Sequence, residues 1–305
     1  MKSSSTKRAL VTGATGYIGS NLACHLLAKG WDVHIVVRMN SDLQILGPSL
    51  SNITVHRHDG TSSGMVAILA NVKPEIVFHL ASFFLAQHKT EDLEALINCN
   101  LLFSTQLLEA MAANGIRRLV NTSTSWQHFE DQDYNPVNLY AATKQAFEDI
   151  LAYYAKAHAL KAATLVLFDT YGPNDPRAKL IPLLLNSAFT GQPLSMSPGK
   201  QLIDLVYIDD VVQAYLKAAD SLDQQVADHV RYGISSGAPI RIVDLVALFQ
   251  DATNTMLPIT FGGRPYRVRE VMAPWTRYKT VPGWDPQVSL KSGLKLVYDA
   301  RLTIA

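Results

Sequence analysis

Short runs of apolar, often β-branched residues alternate with longer stretches of helical periodicity in the first half of the chain. This pattern predicts strands at 9–12, 33–37, 53–56, 76–80, 118–121 and 163–168. It predicts helices at 18–29, 62–71, 93–113 and 139–159, with Ser62 or Ser63 as a cap and Gly30 and Asn114-Gly115 as stops. Because strands that alternate with helices at this spacing form βαβ units, the sequence predicts an α/β fold with a doubly wound parallel sheet.

The alternation breaks after residue 172. Prolines stand at 173, 176, 182, 193 and 198, a strand and helix return at 205–219, and the stretch after Pro239 is rich in Pro, Gly, Arg and Trp. We predict that 1–172, joined by 203–235, form the sheet domain. Residues 173–202 and 236–305 would form a smaller C-terminal lobe, with the ligand in the cleft between the two.

Composition and charge favour a protein that acts on small molecules. The 305 residues carry 27 Lys and Arg against 26 Asp and Glu, a net charge of +1, and 48% are hydrophobic. These values exclude a disordered, collagen-like or coiled-coil chain and argue against a nucleic-acid or membrane-surface partner. Two cysteines are too few for a disulfide scaffold, and the sequence shows no apolar stretch typical of a signal peptide or membrane span. We expect a cytoplasmic protein.

A glycine-rich turn follows the first strand and opens the first helix. Its sequence is Thr12-Gly-Ala-Thr-Gly-Tyr-Ile-Gly19, a GxxGxxG spacing with one residue more than the usual GxGxxG between the first two glycines. The first glycine allows a tight turn, the second lets a pyrophosphate approach the backbone, and the third allows close helix–strand packing. The turn predicts a dinucleotide-binding Rossmann domain, which leaves substrate binding to the smaller lobe. The predicted contacts are Gly13, Thr15, Gly16, Tyr17, Ile18 and Gly19.

The residue that ends the second strand selects the dinucleotide. NAD sites usually place an acidic residue there, whereas this chain has Arg38, whose guanidinium suits the 2′-phosphate of NADP(H). A solvated arginine at a strand end is the alternative interpretation. Asp59 could bind the adenine amino group, although a lone loop aspartate is often a turn former. Further predicted cofactor contacts after the third and fourth strands are Gly60, Leu80, Ala81 and Ser82.

Tyr140 and Lys144 lie one turn apart on the helix after the fifth strand. A nearby ammonium favours tyrosinate, so we expect Lys144 to lower the pKa of Tyr140 and to hold the nicotinamide ribose. A hydroxyl that polarises the same carbonyl would complete the site, and Ser123, Thr124 and Ser125 all stand at the end of the fifth strand.

With these residues, the sequence resembles the extended short-chain dehydrogenase/reductases that act on nucleotide sugars. The resemblance spans nearly the whole chain: the glycine turn, His79-Leu-Ala81, Asn100, Leu107-Leu-Glu109, Thr124, Tyr140 with Lys144, Tyr171-Gly-Pro173 and Tyr207-Ile-Asp-Asp210. It implies that Thr124 is the hydroxyl of a catalytic triad with Tyr140 and Lys144, and that Asn100 supports the cofactor site. It also implies a homodimer paired through the helices that contain 101–111 and 147–154.

Departures from the family patterns reduce the number of reactions that the sequence allows. Family dehydratases have Asp-Glu after the catalytic threonine, and decarboxylases have Glu two residues after it, whereas here Ser125 and Trp126 follow Thr124. Arg38 favours exchangeable NADPH over the tightly held NAD of 4-epimerases. The segments 121–128, 136–140 and 167–173 resemble CDP-abequose/CDP-paratose synthases, which reduce a 4-keto sugar on a nucleotide. The alternatives are a 4-epimerase with bound NAD and a redox-silent dinucleotide-binding regulator.

The expected contacts with the CDP-, dTDP- or UDP-linked sugar depart from the family pattern. The resemblance places Ile203 where the family often has a phosphate-binding arginine, and Asp169 where it has an asparagine. The Arg-rich segment 264–269 offers replacement charge. The predicted substrate residues are Ser125, Trp126, Gln127, Asp169, Lys179 and Arg267. His56 and His58 share a strand face and could bind a metal, but no cysteine lies nearby and the family that the sequence resembles needs no metal, so we predict no metal site.

Overall fold

The computed structural model describes residues 6–303 and centres on a seven-stranded sheet. In chain order the strands are β1 (Arg8–Thr12), β2 (Asp32–Arg38), β3 (Thr54–His58), β4 (Ile76–His79), β5 (Arg118–Thr124), β6 (Lys161–Leu167), β7 (Asp169–Tyr171), β8 (Leu194–Ser195), β9 (Leu202–Ile203), β10 (Leu205–Tyr207), β11 (His229–Ile234), β12 (Ile240–Arg241) and β13 (Ile259–Thr260). The seven strands of the sheet run parallel in the order β11-β6-β5-β4-β1-β2-β3. The predicted doubly wound sheet and its first six strands are confirmed.

Helices cover both faces of this sheet. They are α1 (Tyr17–Ala28), α2 (Ser62–Val72), α3 (Leu93–Ile97), α4 (Phe103–Ala113), α5 (Leu139–Ala157), α6 (Leu180–Thr190), α7 (Ile208–Ser221), α8 (Ile242–Thr253) and α9 (Leu290–Leu302). The cap of α2 is Thr61, whose side chain accepts a hydrogen bond from the Gly64 N–H, rather than Ser62 or Ser63. The predicted helix 93–113 is continuous, but a π-helical segment, Asn98–Leu102, joins α3 to α4.

Alternating residues of the central strands enter two separate apolar cores. Val11, Ile35 and Phe78 belong to the core on the face of α1 and α7. Their neighbours Leu10, Val36 and Val77 belong to the core beneath α2, α4 and α5. Because a parallel strand is buried on both faces, its sequence is apolar at successive positions, and each fully buried side chain of this size contributes about 1.5–3 kcal/mol.

The sheet is completed by a strand that the sequence pattern did not predict. β11 pairs with β6 at the edge, with Tyr232 opposite Leu165. The predicted strand of the 205–219 pair, β10, instead forms a small parallel ladder with β7. The segments on either side of β11 form two further short ladders, β8 with β13 and β9 with β12. The division of the chain into a sheet domain and a lobe at these boundaries stays a prediction.

None of the helices within 6–303 combines the length and apolar character needed to cross a membrane. The cytoplasmic location stays a prediction.

Candidate active site

The glycine turn has the backbone geometry that its sequence predicts. Gly13 has φ +73°, a left-handed conformation that favours glycine, and a Cβ there would lie 2.5 Å from the Ala81 nitrogen. A Cβ on Gly19 would lie 2.1 Å from the Gly13 carbonyl oxygen. Gly16 is the exposed N-cap of α1 and has extended backbone. The turn therefore requires glycine for packing at Gly13 and Gly19, and it leaves Gly16 open to a ligand.

The N-terminus of α1 offers a cradle for phosphate. No side chain caps this helix, and its first turn, Tyr17 to Ser20, contains no acidic residue. The first backbone N–H groups therefore point into the cleft without an intrahelical acceptor, at the positive end of the helix dipole. Gly16, Tyr17, Ile18 and Gly19 all line the principal cavity of the cleft, which has a volume of about 200 Å³. Thr15 does not line it.

Arg38 ends β2 and is exposed, opposite His58 of β3. Within the described range, its guanidinium forms neither an ion pair nor a side-chain hydrogen bond. Arg57 lies against the same strand end, where its Nη1 donates to the carbonyl oxygens of Arg38 and Met39. A cation is therefore available at the position that discriminates between the two dinucleotides, although its contact with a 2′-phosphate stays a prediction.

Asp59 shapes the loop between β3 and α2. Its Oδ1 accepts from the N–H and the hydroxyl of Thr61, both at 2.8 Å, and these bonds hold the pKa of the carboxyl below its usual range. The adjacent Gly60 has φ +90°, and its carbonyl accepts from Gln106. Neither Asp59 nor Gly60 lines the principal cavity. The turn-forming role is thus present in the structure, and adenine binding by Asp59 stays a prediction.

The loop after β4 closes over the glycine turn. Leu80 and Ser82 line the principal cavity, whereas the Ala81 N–H donates to Thr12 Oγ1 at 3.2 Å and faces Gly13. Asn100, in the π-helical segment, is 2% exposed. Its Oδ1 accepts from the Ser82 hydroxyl and the Phe83 N–H, and its Nδ2 donates to the Phe83 carbonyl and Thr143 Oγ1. With its side-chain bonds used in this way, Asn100 supports the loop rather than offering a free group to a ligand.

Thr124 and Tyr140 line the principal cavity together with the glycine turn. Thr124 ends β5, and its Oγ1 accepts the Trp126 N–H at 3.3 Å. Asn138 caps α5 with a bond from the Ala141 N–H, which fixes the first turn that presents Tyr140. Lys144 follows one turn later and is 2% exposed. The structure therefore places Thr124 and Tyr140 at the cleft, whereas Lys144 lies one turn further along α5 and lines neither of the two cavities.

The protonation of Tyr140 differs from the sequence-based expectation. Burial raises the pKa of its phenol to about 12, and a hydrogen bond with Ser82 opposes this only in part. Burial also lowers the pKa of the Lys144 ammonium to about 8. The cost of burying a phenolate outweighs any attraction to Lys144, so the prediction of a lowered Tyr140 pKa is wrong for the protein alone. At neutral pH Tyr140 is a phenol, which can donate a proton.

The residues present fit a nicotinamide dinucleotide. Lys144 is 2% exposed, and among residues 6–303 its Nζ forms neither a hydrogen bond nor an ion pair, so a bound ligand can supply the acceptor that this ammonium lacks. Ribose hydroxyls have the right chemistry, and the free N–H groups of α1 suit a pyrophosphate. Gly13, Gly16, Tyr17, Ile18, Leu80, Ser82 and Lys144 would hold such a cofactor.

A second cavity, of about 90 Å³, continues the cleft toward the C-terminal segments. Ser125, Trp126 and Asp169 line both cavities, Lys179 lines the first and Arg267 the second. Charged groups here are paired. Lys179 Nζ lies 2.8 Å from Asp169 Oδ1, and Arg267 lies 2.8 Å from Glu270 while its guanidinium covers the Trp126 ring at 5.3 Å.

Gln127 is the exception among the predicted substrate residues. It is completely buried and lines neither cavity. Its side-chain nitrogen donates to Gln145 and Glu148, at 3.0 and 2.9 Å. In the 3₁₀ turn Ser125–Gln127, Ser125 and Trp126 line the cleft, whereas Gln127 contacts α5.

Phe84 and Arg177 are among the residues that line the principal cavity and that sequence reasoning missed. Phe84 is 43% exposed, and its ring centroid lies 5.0 Å from that of Tyr140 and 5.5 Å from that of Trp126. Two adjacent phenylalanines directly after a cofactor-binding strand end were an available signal. Arg177 forms a two-point ion pair with Asp175 and covers the Tyr17 ring at 4.7 Å. Its position soon after Tyr171-Gly-Pro173 was the corresponding signal.

The histidine pair discounted as a metal site has other partners. His56 Nε2 lies 2.9 Å from His34 Nδ1, and His58 Nε2 lies 2.9 Å from the Thr61 carbonyl oxygen. Over the described part of the chain, no group of three or more His, Cys, Asp or Glu side chains is arranged to hold a metal ion.

Fold and site together define a dinucleotide-dependent enzyme with a tyrosine–lysine pair. The chain belongs to the NAD dependent epimerase/dehydratase family, whose model matches residues 9–233. It is therefore an NAD(P)-dependent enzyme of the short-chain dehydrogenase/reductase type, which leaves the redox-silent regulator without support.

Relatives of two kinds match over most of the chain. The CDP-abequose synthase of Yersinia pseudotuberculosis is 28% identical, over 90% of this chain and 94% of its own length. The UDP-glucose 4-epimerase of Mycolicibacterium smegmatis is also 28% identical, over 94% of this chain and 96% of its own. A solved UDP-glucose 4-epimerase from Thermotoga maritima, 24% identical, superposes with a TM-score of 0.87 and covers 98% of this chain and 100% of that one. This last match confirms the fold.

Proposed function

We propose that the protein reduces the 4-keto group of a nucleotide-linked deoxyhexose with NADPH, and that Tyr140 donates the proton. The observation that carries this proposal is Arg38, an exposed guanidinium at the end of β2 without a partner among the described residues. It suits a 2′-phosphate, and a reductase must release its oxidised cofactor after each turnover. A CDP-abequose synthase among the relatives supports the same reaction class.

When bound, NADPH supplies the hydride that reduces the C4 carbonyl. Tyr140 protonates the carbonyl oxygen, in keeping with its phenol form at neutral pH. The Thr124 hydroxyl donates a hydrogen bond to the same oxygen and stabilises its developing charge. Lys144 binds the ribose and offsets negative charge on Tyr140 as the proton leaves. The product is the 4-hydroxy sugar nucleotide.

The residues after Thr124 argue against elimination. Ser125 and Trp126 line the cleft where a dehydratase needs an acid and a base. Asp169 also lines the principal cavity, but its carboxylate is bound to Lys179 at 2.8 Å.

The substrate half of the cleft supports a diphosphate-linked sugar. Lys179 lies over the Phe84 ring and Arg267 over the Trp126 ring, and these two rings form an aromatic wall beside Tyr140. Sugar rings pack on such walls through their C–H faces. We assign Ser125, Trp126, Asp169, Lys179 and Arg267 to substrate binding, and Gln127 to the support of the turn.

The test is oxidation of NADPH, followed by its absorbance, with CDP-, dTDP- and UDP-linked 4-keto-6-deoxyhexoses. Consumption of NADPH in proportion to a new 4-hydroxy sugar is expected. Absence of turnover with all three nucleotides, in protein that binds NADPH, would exclude the ketoreductase.

The rival is a 4-epimerase with NAD, favoured by the Mycolicibacterium smegmatis relative. An epimerase recycles its cofactor within one turnover and keeps it through purification. Denaturing the purified protein and identifying the released nucleotide separates the two. Stoichiometric NAD, with interconversion of UDP-glucose and UDP-galactose and no net oxidation, would establish the epimerase instead.

We also propose a homodimer paired through α3–α4 and α5. Exposed apolar side chains on these helices include Leu93, Ile97, Leu102 and Tyr153, at 43, 37, 51 and 62% exposure. Leu102→Glu should yield a monomer in light scattering, because it places a charge in the proposed interface. Val226→Glu, at an exposed position in the turn before β11, is the matched control and should leave the mass unchanged. A monomeric parent protein would contradict the proposal.

A further inference from the structure

A buried polar network lies beside the catalytic residues, where α5 meets β5 and β11. Its centre is Glu148, one helical turn after Lys144 and 3% exposed. Glu148 Oε1 accepts from Gln127 Nε2 at 2.9 Å and from the Ser123 hydroxyl, and Arg231 Nε lies 2.9 Å from Oε2. A carboxylate so far from solvent is stable only when paired, and Arg231 of β11 supplies that pairing.

We propose that Glu148 is a positioning residue whose buried carboxylate, paired with Arg231, holds the segment that bears Thr124 against α5 and favours the charged form of Lys144 on the same helix. The inference rests on the proposed cofactor role of Lys144. Lys144 forms no ion pair within 6–303, and Glu148, which lies one turn further along the same helix and is also buried, is an acidic neighbour that favours its ammonium form.

The contacts of Glu148 also reach both halves of the cleft. Ser123 precedes Thr124, and Gln127 ends the turn that presents Trp126, so one carboxylate holds the segment that bears the catalytic hydroxyl against α5. Arg231 Nη2 lies 3.0 Å from His128 Nε2, and the His128 ring stacks on Trp275 of the second cavity at 3.9 Å.

Other titratable groups in this region keep one protonation state near and above neutral pH. His79 and Cys99 face Lys144, while His128 and His229 face Glu148 and Arg231. Burial lowers the pKa of His79 to about 3, lowers those of His128 and His229, and raises that of the Cys99 thiol. The pKa of Tyr140 is about 12 and that of Lys144 is about 8. Lys144 is therefore the member of this set that titrates near and just above neutral pH.

The test is the pH dependence of cofactor binding, measured by the fluorescence of NADPH and of NADH without any sugar substrate. Cofactor affinity should fall as the pH rises and Lys144 loses its proton. We call this fall the alkaline limb of the pH profile, and Lys144→Met should abolish it. In Glu148→Gln the limb should move to lower pH by about one unit, because an opposite charge at this distance no longer favours the ammonium. Asp149→Asn removes an exposed carboxylate of the same helix and should not move it.

A second variant distinguishes the shift of the alkaline limb from a general loss of stability. Glu148→Gln leaves the half-buried Arg231 without its carboxylate, so it should lower the melting temperature. Glu148→Gln with Arg231→Met should restore much of the stability while the alkaline limb stays shifted. An unshifted limb in either variant would refute the positioning role, although cofactor binding by the parent would still stand. A parent protein that binds neither cofactor would refute both proposals.

Discussion

The two halves of the cleft use charge in opposite ways. In the cofactor half, the cations Arg38 and Lys144 have no ion-pair partner among residues 6–303. In the substrate half, Lys179 is paired with Asp169 and Arg267 with Glu270. The first half presents charge that a ligand can use at once. The second must exchange internal ion pairs for contacts with its ligand, so part of the binding free energy is offset by breaking them.

The largest expected effect is a loss of turnover, because the reaction requires the cofactor half and the substrate half of the cleft together. Tyr140→Phe removes the proton donor and should lower kcat for reduction about 100- to 10,000-fold, whereas NADPH affinity should stay close to that of the parent. Absorbance of NADPH measures the first and fluorescence titration the second. Tyr153→Phe, at an exposed tyrosine of the same helix, is the control. Unchanged turnover in Tyr140→Phe would remove Tyr140 from the mechanism.

The next comparison separates packing from phosphate binding within the cofactor half. Gly19→Ala places a Cβ 2.1 Å from the Gly13 carbonyl oxygen, so the backbone must move, at a cost of about 1–3 kcal/mol. Its melting temperature should fall even without cofactor. Gly16→Ala meets the same oxygen at 3.3 Å and has extended backbone, so its main effect should be on NADPH affinity. Equal thermal destabilisation of both variants would contradict this division of roles.

Arg38→Ala tests the unpaired cation. Loss of a charge-assisted bond to the 2′-phosphate, worth about 1.5–3 kcal/mol, should raise the Kd for NADPH by roughly ten- to a hundredfold. The Kd for NADH should barely change, and Lys29→Ala, at an exposed cation after α1, should leave both unchanged. A similar loss of affinity for NADPH and NADH would show that Arg38 does not bind the 2′-phosphate.

The smallest expected effect is a change in nucleotide affinity when a paired cation of the substrate half is released. Asp169→Asn keeps the shape of the site but releases Lys179 from its ion pair, so CDP, UDP and dTDP should bind more tightly, by about fivefold or less. The gain should shrink at high salt. Calorimetric titration measures both, and Asp133→Asn, at a side chain that is 94% exposed, is the control. Weaker binding would mean that Asp169 itself accepts a hydrogen bond from the nucleotide.

The same contrast explains how far the sequence could predict the site. The glycine turn and the Tyr140–Lys144 pair lie within continuous segments, where local backbone rules determine which residues meet. The pairing of Asp169 with Lys179 and the aromatic contact of Phe84 with Trp126 join different segments, and no spacing in the sequence encodes them. The prediction for Gln127 failed for a related reason, since one residue of rotation in a 3₁₀ turn decides which side chain enters the cleft.

The fold shows the same limit. Strands with β-branched, apolar runs were predictable, but β11 reads His-Val-Arg-Tyr-Gly-Ile, and its polar residues have buried partners that only the tertiary structure reveals. His229 Nε2 lies 2.8 Å from Thr164 Oγ1, and Arg231 contacts Glu148. Similarly, the pKa of Tyr140 depends on burial that its YxxxK spacing does not specify.

The late position of β11 in the chain has a consequence for how the protein is made. β6 gains its outer neighbour, and Glu148 its counter-ion, from a strand that is translated only after the whole segment 173–202. The nascent chain therefore cannot complete its active site until Ile234 has left the ribosome. For the same reason, a gene fragment ending at residue 172 would encode a sheet with an open edge and an unneutralised carboxylate in its core. A fragment that extends just beyond Ile234 would supply both the outer strand and the counter-ion, and could fold around the cofactor half.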